Sequence, residues 1–497
     1  MKKLFSVVLA VVFLGVLVVP PCAYGAAGKD SVKIAVYSDF KIFDPMNSGM
    51  TLDKVVYKNI FDSLLNFYQG DYEKTLVDDY EISNDGLSYT FSLKKGVKFH
   101  NGEELKAADV VFSMERAKTS TSYANYTSSI DKVEAKDDYT VVISLGKPYV
   151  PFLQAVAADV PIMNEKAVKD AGDDVGFRPV GTGPYKYVKF DPGQQVVLEA
   201  SDVWHGGTAS IKRAEFHVLI DPSSALMATE TGEIDVTYNM PPIAAAHAED
   251  NPDLKFQKVP TTGSGYICYN IEKAPFNDVN FRLALAHAIN KQEIVDVALD
   301  GMGEVSKALW DERFEGYSGK FPPAGYDLKK AAEYLKKSAY DGQEIYFRVG
   351  YENYKKIAVV VQEQLRKIGV NVAVEQLEAN TWVDDMKKGN YDLSTIVMTY
   401  DLDVDYWSNV LHSNAIGAYN FPRLNRSEVD KAFDVGNALF DKKKRIETYE
   451  VIERIVNEEV IVIPIYWRVN PCLYNKDLEI SRFYPIGFAK CVDMKWN

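Results

Sequence analysis

EIYFRVGYENYKKIAVVVQEQLRKIGVNVAVEQL, residues 344–377, carries two hydrophobic periods side by side. EIYFRVG and VNVAVEQL alternate apolar and polar residues, as strands do. Between them KKIAVVVQEQLRKI repeats apolar residues at helical spacing and stops at Gly369. Strand, helix and strand in this order predict a right-handed βαβ unit with parallel strands, so this part of the chain is α/β.

The pattern continues. TWVDDMKKG (381–389) predicts another helix, and YDLSTIVMTY (391–400) a strand whose apolar run, Leu393 to Met398, implies burial on both faces. Asp401 is the first residue past that strand's carboxyl end. Open α/β sheets bind ligands there, because the loops converge on a crevice. Asp401, Asp403 and Asp405 alternate with apolar residues in VMTYDLDVDYWSN (397–409), like the start of an EF-hand calcium loop. That loop needs Gly at its sixth position and Glu at its twelfth, and here those are Tyr406 and His412. A calcium loop is excluded.

FRLALAHAINKQEIVDVAL (281–299) predicts one amphipathic helix closed by Gly301, and DLKKAAEYLKKS (327–338) another with Asp327 as N-cap. DKVVYKNIFDSLLNFY (53–68) predicts a helix in the first half. A mixed region of strands and one short helix follows, and from Gly181 the chain is β-rich. A chain of 497 residues exceeds one ordinary domain, so two or three lobes are expected.

The start reads as a secretory signal. Lys2 and Lys3 precede the apolar run 4–19, and small residues offer cleavage after Gly25 or Ala27. Pro20 and Pro21 fit poorly before a lipid-modified Cys22, so a free periplasmic protein is expected. The net charge of −14 argues against nucleic acid and anionic membranes as partners. Cys268, Cys472 and Cys491 show neither a disulfide framework nor a zinc motif. A Cys472–Cys491 bridge and three buried thiols both remain open.

Catalytic signatures are missing. The histidines form no close pairs, and no His-Glu-x-x-His, Cys-x-x-Cys or Gly-x-Ser-x-Gly occurs. No phosphate cradle is present, and no metal or cofactor is expected. A secreted two-lobe protein of this kind points to binding rather than chemistry.

Four blocks, in order, carry a family resemblance: YTFSLKKGVKFHNGEELKAADVVFSMERAK (89–118), GTGPYKYVKFDPGQQVVLEASDVWHGG (181–207), APFNDVNFRLALAHAINKQEIVDVAL (274–299) and YEVIERIVNEEVIVIPIYW (449–467). Together they resemble the family 5 extracellular solute-binding proteins of ABC importers. The resemblance implies an α/β bilobal periplasmic-binding-protein fold, type II-like, with an extra subdomain inserted in the first lobe. The corresponding divisions are 1–25 signal peptide, 26–62 lobe I, 63–177 inserted subdomain, 178–259 lobe I, 260–470 lobe II and 471–497 a return to lobe I. Two crossings, near Pro260 and Val469, would act as a hinge closing on solute.

The family's peptide binders pair an aspartate with the peptide's terminal ammonium, and TYDLDVDYW (399–407) matches that segment with Asp401 at the aspartate. Tyr400 stands near where many relatives carry Trp, and the loop's prolines are absent. Asp403 and Asp405 are read as loop structure. Further candidates are Trp382, before the strand leading to Asp401; Tyr266 and Cys268, just past the hinge; and Asp39 and Phe43, after the first strand of the opposing lobe. Arg282 and the Gly181–Tyr185 turn are read as structural. The resemblance implies a small solute, most simply a di- or oligopeptide, handed to an ABC permease with its ATPases by a monomeric receptor that is no enzyme. A nickel complex, haem, opine or oligosaccharide is the alternative cargo, and a secreted hydrolase the alternative class.

Overall fold

The computed structural model describes residues 29–48, 50–68, 70–240, 243–399 and 402–497. The signal segment and Cys22 lie outside the described residues, as do Tyr400 and Asp401.

Hydrophobic side chains collect into two large cores. One is built from Val32 through Tyr238, with Val259 and the C-terminal stretch from Cys472 to Met494. The other is built from Tyr266 through Trp467. What joins them is a pair of long antiparallel strands, Leu254–Tyr269 and Ile463–Asn475. Pro260 pairs with Val469, and the register then slips, so that Ser264 pairs with Trp467. Thr261, Thr262 and Gly263 thus face the single residue Arg468, a bulge that loosens the ladder between the cores.

These strands are the middle of an eleven-stranded sheet among the described residues. On the second core's side lie Leu393–Thr399, Ile345–Val349 and Val372–Gln376; on the first core's side lie Val236–Tyr238, Ser31–Val36, Arg213–Val218, Gln195–Ala200 and Tyr185–Asp191. Ile345–Val349 and Val372–Gln376 are parallel and flank the helix Glu352–Arg366, as the opening stretch of sequence predicts. Leu393–Thr399 runs back toward the hinge and ends with Thr399 opposite Gly263. Ser31–Val36 runs toward the hinge from the other side. Strands of both lobes therefore aim their carboxyl ends at one place.

Within the first core's half, Val77–Ile82, Ser88–Leu93, Thr140–Leu145 and Ile130–Asp137 form a separate four-stranded antiparallel sheet. Alternate residues of Ser88–Leu93 and Thr140–Leu145 are buried, as expected of a sheet with one covered face.

Three local readings are corrected. The helix predicted over 53–68 is Thr51–Ile60; Phe61 is extended and Leu65–Tyr68 is a strand. The helix predicted over 281–299 is two, Val279–Ala288 and Lys291–Ala298, because Asn290 turns out of the helix and its side chain caps the second. Leu393–Thr399 is buried only over its first three residues, then becomes half-exposed and ends exposed. Cys268, Cys472 and Cys491 are free and buried.

Candidate binding cleft

A cavity of about 1170 Å³ lies between the two lobes. Its floor is the hinge, from Val259 to Thr262. Tyr72 and Tyr80 of the inserted region, Phe314 and Phe440 of the second lobe, and Phe483 of the C-terminal return supply aromatic walls. Leu402, which follows the undescribed pair 400–401, also lines it.

Beside Leu402 the acidic loop is held by a buried ionic network. Asp403 and Arg445 pair at 2.6 Å with both side chains almost fully buried. The Arg445 guanidinium also donates to the Gly436 carbonyl at 3.0 Å and to the Tyr449 hydroxyl at 3.0 Å. Asp403 caps the short 3₁₀ turn Val404–Trp407 by accepting from the Asp405 amide at 2.7 Å. These extra bonds matter, because a buried ion pair recovers its desolvation cost only when its remaining polar atoms are satisfied.

Asp405 reaches further. Its carboxylate accepts from the Asn437 side chain and from the Tyr149 hydroxyl of the inserted region, the latter at 3.3 Å. Burial, and next the neighbouring Asp403 charge, push its carboxyl up to about 6. Two more contacts join the inserted region to the second lobe here. The Val150 amide donates to the Asn437 carbonyl at 2.7 Å, and the rings of Tyr126 and Tyr406 stack at 5.8 Å with their hydroxyls in contact. Asp403 thus holds the loop, as read from the sequence, while Asp405 also clasps the opposite lobe.

The other sequence candidates fall as follows. Asp401 and Tyr400 are outside the described residues. Phe43 is fully buried in the first core against Phe40, Tyr187 and Phe190. Asp39 accepts from the amides of Phe40 and Gly193, fastening a loop of the first lobe. Tyr266 and Cys268 are fully buried in the second core, where burial pushes the Cys268 thiol up to about 12. Trp382 is buried with Tyr351 and Tyr354, and its indole N–H donates to the Ser394 hydroxyl at 3.0 Å. None of these described side chains lines the interlobe cavity. The strand carrying Tyr266 and Cys268 is buried on both faces there, so alternation offered no sign of a cleft side.

What sequence reasoning missed are the aromatic walls, Arg445 and Tyr149. They come from segments far apart in the chain, and only the abundance of tyrosine and phenylalanine hinted at them. Among the described residues no cluster of His, Cys, Asp and Glu could hold a metal ion, and no helix is long and apolar enough to cross a membrane.

Residues 71–417 match the model for bacterial extracellular solute-binding proteins, family 5 Middle. The chain is 33% identical over 362 residues to the glutathione-binding protein GsiB of Pectobacterium atrosepticum, covering 71% of this chain and 70% of that one. It is 27% identical to di/tripeptide-binding protein 1 of Pseudomonas aeruginosa over 85% of this chain and 86% of the relative. The fold is similar to that of the ABC transporter substrate-binding protein CtaP of Listeria monocytogenes, with a TM-score of 0.87 at 23% identity, covering 94% and 99% of the two chains. By this match, and by two lobes joined through paired strands around a cavity, the protein belongs to the family 5 bacterial extracellular solute-binding proteins.

Proposed function

We propose that this protein captures short peptides outside the cytoplasm for an ABC importer, closing its lobes on a peptide whose free amino terminus is neutralised by Asp401. The observation that carries the reading is the cavity at the hinge, walled by aromatic residues from both lobes, in a chain whose relatives are named for glutathione and for di- and tripeptides. Aromatic walls accept varied side chains through apolar contact. A buried ammonium is costly without a carboxylate facing it, and one charge-assisted hydrogen bond contributes about 1.5–3 kcal/mol. Peptide contacts on both lobes favour the closed form, which permease subunits with their ATPases then distinguish from the empty one. In this reading the leader 1–25 directs export, the receptor acts as a monomer, and it performs no chemistry on its cargo.

The test is a thermal-shift screen of the mature protein with di- and tripeptides and their N-acetylated forms. Free-amine peptides raise the melting temperature in proportion to ln(1 + [L]/Kd), and N-acetylated ones do not. Asp401→Asn removes the shift. A variant that responds like the parent overturns the role of Asp401, and mass spectrometry of co-purified solute would then name another cargo.

A further inference from the structure

Asp405 is a buried carboxylate without a counter-charge. Among the described residues no Lys, Arg or His nitrogen lies within 4.0 Å of it, because the nearby Arg445 guanidinium pairs with Asp403 instead. It is also where the lobes meet, one carboxylate oxygen turned toward each. Burying an unmatched charge is costly, and a carboxyl lowers that cost by taking a proton.

The groups around it fix where that proton would sit. Asp405 Oδ1 accepts from the side-chain amide of Asn437, in its own lobe. Asn437 cannot turn its carbonyl that way, because its Oδ1 accepts from the Tyr449 hydroxyl at 2.8 Å. Asp405 Oδ1 therefore stays an acceptor. Oδ2 faces the inserted region of the other lobe and meets the Tyr149 hydroxyl at 3.3 Å. A hydroxyl donates to a carboxylate and accepts from a carboxylic acid. The Tyr149 contact across the lobes thus survives protonation at Oδ2, and protonation removes the buried charge.

The charges that act on this oxygen come from every side. Asp403, just before the turn, opposes a second negative charge, while Arg445 on the helix Lys442–Glu458 partly offsets it. Tyr449 on that helix, Tyr149 with Tyr126 beside it, and Tyr406 on the turn itself contribute phenols. Burial holds Tyr149 and Tyr449 well above the usual phenol range, so both stay neutral. Glu315, whose backbone pairs with Asp403, is itself matched by Lys442 at 3.6 Å. When the lobes part, Tyr149 leaves and Oδ2 meets water, where an ionised carboxylate is favoured.

We propose that lobe closure takes up a proton at Asp405, which makes the interlobe contact a pH-sensitive latch that holds solute more tightly in acidic surroundings. The inference rests on the reading of a cleft that closes on solute, and not on which solute it is. In the closed form burial, and next Asp403, push the Asp405 carboxyl up to about 6 from 3.8. A carboxyl raised by closure favours the closed form at low pH, and that preference is lost as pH rises through about 6.

The test is interlobe fluorescence energy transfer in the full mature protein, labelled through Asp131→Cys and Lys431→Cys. Both positions are exposed, one on the strand Ile130–Asp137 of the inserted region and one on the helix Ser427–Gly436 of the second lobe. The native Cys268, Cys472 and Cys491 are buried and escape the label. From pH 7 to pH 5 the closed-to-open ratio of the ligand-free parent rises about tenfold. Asp405→Asn, neutral throughout, keeps one ratio within about twofold over that range. Tyr149→Phe deprives the ionised form of its donor, so the pH dependence remains and its midpoint moves up. Melting curves show that each variant folds, and if Asp405→Asn does not, Tyr149→Phe carries the test. A parent ratio flat in pH, an Asp405→Asn that follows the parent, or a Tyr149→Phe midpoint that stays or falls overturns the latch. Ala-Leu added at each pH separates the two readings. Closure that follows pH but ignores the peptide overturns the peptide reading and leaves the latch, whereas closure driven by the peptide but flat in pH overturns the latch alone.

Discussion

The Tyr149 hydroxyl lies 3.3 Å from Oδ2 of Asp405, across the gap between the inserted region and the second lobe. It is a tie between the two bodies that must part for solute to enter. Tyr149→Phe keeps the ring and removes the donor, leaving a buried carboxylate one bond short at a cost of about 1–3 kcal/mol to the closed form. The expected outcome is a larger ligand-free radius of gyration by small-angle scattering and weaker solute binding, with little change in the unfolding of either core.

Asp405 also makes stability depend on pH. Its carboxyl is raised from 3.8 to about 6 by burial first and by Asp403 next. A raised carboxyl favours the folded state below its unfolded pKa, and that contribution is lost as pH rises through about 6. The parent therefore loses up to about 3 kcal/mol on this account between roughly pH 4 and 6. Asp405→Asn lacks that loss, so urea titrations of the two proteins diverge across this window. Parallel curves would show that Asp405 does not titrate there.

Arg445 holds the acidic loop from within. Removing it leaves Asp403 buried and unpaired, beside an Asp405 that already carries the cost of burial. Arg445→Ala is expected to destabilise the second lobe by about 3–5 kcal/mol in denaturant unfolding. Arg445→Met combined with Asp403→Leu, which removes both charges and keeps volume, recovers most of that loss.

At the hinge, two glycines differ in what a methyl would meet. At Gly265 a Cβ overlaps the Tyr466 ring, which is itself fully packed. At Gly263 it comes to 3.1 Å of the Arg468 Cβ and 3.2 Å of the Thr261 Oγ1, atoms that can yield by a few tenths of an ångström. Gly265→Ala is therefore expected to cost about 1–3 kcal/mol or more, and Gly263→Ala clearly less. Equal melting temperatures for the two variants would contradict this ranking.

Cys268, Cys472 and Cys491 are all buried and free, and burial raises each thiol. The folded protein is expected to leave an aromatic disulfide reagent unreacted over minutes, and to react at all of these positions once unfolded.

Much of the architecture could be read before any coordinates. The βαβ unit around Ile345–Val349 and Val372–Gln376 was legible because each segment carries its own period, and the four family blocks lie in order along the chain. Element ends were less legible. Phe61 to Tyr68 is as apolar as the helix before it, so composition did not show that the chain turns extended there. Asn290 looks like a tolerable polar residue within a helix until its side chain is seen to cap the next one. The candidate site was least legible. Tyr266, Cys268 and Phe43 were reasonable by chain position, yet each packs into a core, while the cavity walls gather from segments far apart in the chain.

The sequence alone determined the α/β class, the order of the family blocks, and an acid two residues past the strand Leu393–Thr399. These follow from local periodicity and from matched stretches of chain. The tertiary structure alone decided that Pro260 and Val469 face each other and that Asp405 ties the lobes through Tyr149. Periodicity reports that a side chain is buried or exposed. It does not report what it is buried against, and at a hinge the partners are contributed by residues hundreds of positions apart.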